Sequence, residues 1–205
     1  MGIETIHETV LNHLLKYGQV GFTVRTKDKR NEDKLNKGYW FLGNDGFLSV
    51  SFWNSRDWRN KTHNIFFAIN SKKDCWIEFV DKDGGEKALF FEEISLALGL
   101  KRLKTKRNEE DRFLWKKEYT NGGDYLKSLD EFLKKDKPII DAFIQAKGKT
   151  ALFPAISQQD FNENLKHILE RTKKLSTDGL DTKILSMGQG YGQSYPLRLK
   201  KNHTR

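Results

Sequence analysis

Arg56, Trp58, Arg59 and Lys61 fall within ten residues, NSRDWRNKTH (54–63), that contain no periodic apolar partner. Guanidinium and ammonium groups hold phosphates, and an indole stacks on an unpaired or flipped base for about 1–3 kcal/mol. Asn54, Asp57 and Asn60 are turn formers, so the stretch reads as a polar loop that projects Trp58 outward. Trp40 and Trp53, in the aromatic runs before it, are the other candidates for touching a base. Each ring also has a core reading, because alternate residues of a strand face opposite sides and one side must pack inward. A second cationic stretch, KRLKTKR, adds Lys101, Arg102, Lys104, Lys106 and Arg107 as phosphate contacts.

Cutting a phosphodiester would need carboxylates that hold a divalent ion beside a lysine that polarises water. The chain has two (D/E)-x-K triplets, Glu32–Asp33–Lys34 and Asp181–Thr182–Lys183, and neither is expected on a strand. Glu78, Asp81 and Glu86 on neighbouring strands are the remaining set, and magnesium is implied only if they cut. No other cofactor is expected. The five histidines show no i, i+4 pair, and one cysteine cannot build a thiolate site. There is no G-x-x-x-x-G-K-[ST] loop and no serine elbow.

These side chains need a frame. Ile3, Ile6, Val10, Leu14 and Tyr17 share one helical face, and Gly18 ends that helix. The period then changes to two: residues 19–25, 38–42, 47–53, 64–70, 75–81 and 87–93 are β-branched or aromatic runs bounded by Gly, Asn and Asp. Short turns such as GNDG, NSKKD and DKDGG predict an antiparallel meander. From about 92 the pattern reads as helical. Gly99 is a stop, and Pro138 breaks or restarts a helix carrying Tyr125, Leu129, Phe132 and Leu133. Phe161, Leu165, Ile168 and Leu169 mark a last helix. The expectation is an α+β fold within residues 1–175: an N-terminal helix, five or six mostly antiparallel strands (19–93) and C-terminal helices (94–175). Residues 176–205 read as a flexible basic tail or linker.

The formal charge of +9 is segregated. Residues 25–37 carry +3, 54–63 carry +2, 101–117 carry +5 and 196–205 carry +4, while 74–96 carry −5. Clustered cations of this kind fit a polyanion-binding face. No apolar run approaches membrane-span length, and the acidic start lacks a signal peptide's basic region, which with a single cysteine points to the cytoplasm.

The run LNKGYWFLGNDGFLSVSFW…DWRNKTHNIFFAI, followed by helices, resembles the segment ahead of the motor module in McrB-like modification-dependent restriction proteins, over about residues 20–170. The resemblance implies a DNA-recognition module of a restriction or defence system. Such a module would read a modified or flipped base through an aromatic pocket and act with a motor or nuclease subunit. This chain has no motor motif of its own. A small metal-dependent endonuclease and a protein-interaction module are the competing expectations.

Overall fold

The computed structural model describes residues 2–17, 20–25, 34–35, 37–55, 63–81, 86–107 and 110–172. Helix α1 (Ile3–Tyr17) buries Ile3, Ile6, Val10 and Leu14 as the spacing predicts, together with His7, Leu11 and Leu15. Strands β1 (Leu42–Asn44), β2 (Phe47–Val50), β3 (Ile65–Asn70) and β4 (Cys75–Asp81) follow as an antiparallel meander. Helix α2 (Glu86–Leu98) then leads to β5 (Lys101–Arg107) and β6 (Glu110–Tyr119). The sheet order is β1-β2-β3-β4-β6-β5, so β6 pairs with β4 and β5 becomes an edge. Helices α3 (Tyr125–Glu131), α4 (Lys137–Ala146) and α5 (Gln158–Thr172) complete an α+β fold.

One face of the sheet is packed against the helices; the other is buried along β3, where Phe66 and Ala68 are 9% and 0% exposed, and opens only along β4 and β6. Along β4, Cys75, Ile77, Phe79 and Asp81 are buried, while Trp76, Glu78 and Val80 are only partly covered. The packed side meets the helices through aromatic rings. Phe132 lies 5.4 Å from Phe52 and 5.3 Å from Phe67, centroid to centroid, and Phe91 lies 5.2 Å from Phe79 and 5.6 Å from Trp115.

Four elements differ from the expectation. The run 38–42 enters the sheet only at Leu42, because β1 pairs with β2 through Leu42, Gly43 and Asn44. Residues 20–25 make no strand, although Thr23 N–H donates to Ser51 O and Arg25 N–H to Trp40 O. Residues 87–93 form part of α2, not a strand. KALFFEEISLAL is rich in helix formers, and Phe90, Phe91, Ile94 and Leu98 recur at helical spacing to bury one side. Residues 101–107 and 110–119, expected among the helices, are strands, because β6 finds a partner in β4 and β5 in β6. Pairing partners distant in sequence override local propensity. The stop at Gly99 is a left-handed residue (φ 65°) after which Leu100 N–H bonds back to Ser95 O, closing the last turn. Pro138 acts through its neighbours: a π-helical turn, Phe132–Asp136, joins α3 to α4, and Lys137 N–H reaches back five residues to Phe132 O. The tail at 176–205 lies outside the described residues. Among the described residues no helix is long and apolar enough to cross a membrane.

Candidate nucleic-acid interface

The β5–β6 hairpin gathers the cations of 101–107 on one edge of the sheet. Cross-strand register puts Lys101 opposite Lys116, Arg102 opposite Trp115 and Lys104 opposite Phe113. Strand side chains alternate, so Arg102 and Lys104 face the helices while Lys101 shares the open face with Lys116. Lys101, Arg102 and Lys104 are exposed. Arg102 is tied to the body of the protein: its Nε lies 3.6 Å from Glu92 Oε2, and its guanidinium sits 4.0 Å from the Phe113 ring centre. Glu92 Oε2 also accepts from Trp115 Nε1 at 2.9 Å, so this carboxylate joins α2 to both strands. Lys106 and Arg107 complete β5, standing in register with Asp111 and Glu110.

The loop that gave the first cationic cluster, with Arg56, Trp58, Arg59 and Lys61, lies outside the described residues. The other two aromatic candidates are corrected. Trp40 and Trp53 are each 1% exposed, so no base can reach either ring. Trp53 Nε1 donates to Asp141 Oδ1 at 2.8 Å and Lys137 lies 5.4 Å over its ring, which makes it an anchor for α4.

The carboxylate set proposed for metal is corrected as well. Glu78 and Asp81 are three apart on β4, so they point to opposite faces of the sheet and cannot share an ion. Glu78 Oε2 accepts from Trp76 Nε1 at 2.9 Å, and Asp81 is buried on the helix side. Glu86 starts α2 rather than a strand. Among the described residues no three His, Cys, Asp or Glu side chains are grouped to hold a metal ion.

Sequence reasoning missed three arrangements. Trp76 stands half-buried on the open face with Lys116 Nζ 4.7 Å from its ring centre. Its place in the alternating run CWIEFVD, where the other parity is the apolar one, was the available signal. Arg25 is buried, and its guanidinium donates to the carbonyls of Tyr39, Phe41 and Gly43 at 3.0–3.2 Å. It therefore holds the chain entering β1 and is not presented to solvent. Asp136, buried in the π-helical turn, accepts from Lys117 Nζ at 2.8 Å on both oxygens and from the Tyr119 hydroxyl. Burial and that carboxylate hold the Tyr119 hydroxyl protonated, well above its ordinary range. Cys75, buried on the packed face, has its thiol pushed up to about 11 by desolvation, which makes it a poor nucleophile at neutral pH.

A comparison with protein-family models, curated proteins and solved structures finds no match to the chain.

Proposed function

We propose that the chain is a DNA-recognition module of a restriction or defence system whose phosphate-contacting edge is the β5–β6 hairpin. The observation that carries the reading is β5, an edge strand with five cations in seven residues. The hairpin also outruns its neighbour. β4 ends at Asp81, opposite Phe113, whereas Thr105, Lys106 and Arg107 continue in register with Arg112, Asp111 and Glu110. A two-stranded ribbon of this width fits the major groove of B-form DNA. Phosphate contacts from Lys101, Lys104, Lys106 and Arg107 would fix its position, while base contacts from the same ribbon or from the 54–63 loop would give preference.

Lysines on a sheet edge also keep two sheets from pairing, and that role needs no DNA. Cutting, under the proposed reading, belongs to a partner subunit. A gel-shift series over single-stranded, duplex and modified-cytosine DNA, with and without magnesium, separates the readings. Binding without cleavage is expected. Cleavage that requires magnesium would make the chain a nuclease, and no shift at low salt would leave β5 as a protected edge.

A further inference from the structure

We infer that the open face of the sheet carries a seat for one unpaired nucleobase, built on Trp76 and reached by a single nucleic-acid strand. The inference rests on the nucleic-acid reading above and deepens it by naming the form of nucleic acid that this face takes.

The burial of Trp76 is incomplete where that of its sequence neighbours is not. Cys75 and Ile77, on either side in sequence, are 2% and 0% exposed on the helix-covered face, whereas the indole stands half-buried on the opposite face. The hydrogen bond from its Nε1 to Glu78 fixes the ring's orientation, so little rotamer freedom is left to lose when a ligand stacks.

Beside the ring opens a cavity of about 470 Å3, formed between the β3–β4 turn and the loop that leaves β6. That volume lies in the range of small-ligand sites. Its walls include Asn70, Lys73, Tyr119 and Asn121. Both amides are held in place, Asn70 Nδ2 by Asp74 at 2.8 Å and Asn121 Nδ2 by Glu131 at 3.0 Å. The wall thus combines a large aromatic ring, oriented amides, the lysines Lys73 and Lys116 and the carboxylates Asp74 and Glu118, each carboxylate already bonded to a neighbour, which leaves the ring and the amides to meet a flat heterocycle with polar edges.

The neighbouring strand supplies the charge. Lys101 on β5 stands directly across from Lys116 on β6, and like charges placed opposite each other in a sheet repel. Glu118 answers Lys116 at 2.7 Å, while Lys101 has no carboxylate within ion-pair distance among the described residues. A phosphate over this pair relieves the repulsion. The carboxylates nearest the ring are already engaged: Asp74 accepts from Asn70, Glu78 from the indole and Glu118 from Lys116. A duplex keeps its base faces inside the stack, so an indole set in a concavity reaches only a base that is unpaired.

The test uses the whole chain and measures fluorescence anisotropy with a labelled short oligothymidylate and, separately, a short duplex. Trp76→Ala should weaken oligothymidylate binding about 5- to 150-fold, the range expected for one lost stack, and change duplex binding by less than about twofold. Trp76→Phe should restore most of the loss. As a check that does not depend on a variant folding, ultraviolet cross-linking of the wild-type chain to an oligonucleotide carrying iodouridine should map to the peptide that contains Trp76. A cross-link mapped elsewhere, unchanged oligothymidylate binding by Trp76→Ala, or an equal loss on both nucleic acids overturns the seat while leaving the nucleic-acid reading in place. If the wild-type chain binds neither, that reading fails and the seat fails with it.

Discussion

His7 is fully buried between the rings of Tyr39 and Phe41, and its Nδ1 accepts the Phe41 N–H at 3.1 Å. Burial first, then the nearby Arg25 and Lys34, lower its pKa to about 3. The unfolded chain protonates this imidazole near pH 6.5, so between pH 6.5 and 3 the unfolded state binds a proton that the folded state refuses, and stability falls as pH falls through that window. From pH 7 to 5 the His7 contribution to this loss should be about 2 kcal/mol. Denaturant melts across that range should show it, and a folded His7→Gln chain should lack that portion. Trp53 makes a second residue-scale prediction. Trp53→Ala removes a core ring and its bond to Asp141, and should cost about 3–5 kcal/mol in a urea melt while leaving DNA affinity per folded molecule unchanged. Weakened binding by the folded fraction would return Trp53 to the interface.

At the level of elements, the π-helical turn aims Asp136 at Lys117 and Tyr119, and so locks the base of β6 to the α3–α4 connection. Asp136→Asn should destabilise by about 2–3 kcal/mol, less than a fully buried pair because Lys117 keeps some contact with water. A thermal or urea melt checks it. Gly99→Ala should cost about 1 kcal/mol, because the residue that ends α2 has a φ of 65°. These elements differ in how far the sequence announced them. The three- and four-residue spacing of Ile3, Ile6, Val10 and Leu14, the parity of Cys75, Ile77 and Phe79, and the turn GNDG each carry a local period that tertiary packing only reinforces. In α2, the apolar run LFF matches strand composition over three residues, and only the longer window through Ile94 and Leu98 reveals the helical face. β5 has no apolar alternation at all. Its strand state comes from β6, which has β4 to pair with, and no local pattern in KRLKTKR reports a partner so far along the chain. The candidate site divides in the same way: the cations of 101–107 were legible as a cluster, whereas burial of Trp40 and Trp53 and exposure of Trp76 depend on which face the helices cover.

Across the whole molecule, charge and shape are arranged asymmetrically. Helices close one face of the sheet, the other face holds Trp76 and Lys116, and the most basic strand occupies an edge instead of a paired interior position. An electrostatic contact of that kind has a thermodynamic signature that packing lacks. Each phosphate neutralised on duplex DNA releases counterions, and the logarithm of affinity falls against the logarithm of salt with a slope of about −0.9 per contact. The most direct measurement is therefore the salt dependence of duplex binding by the wild-type chain and by Lys101→Ala, Lys104→Ala, Lys106→Ala combined. All three substitutions lie on an edge strand, and a thermal melt close to that of the wild type checks the fold. The combined variant should bind more weakly, with a slope shallower by about 2–3. A folded variant whose affinity and slope match those of the wild type would contradict this and remove β5 from any nucleic-acid interface.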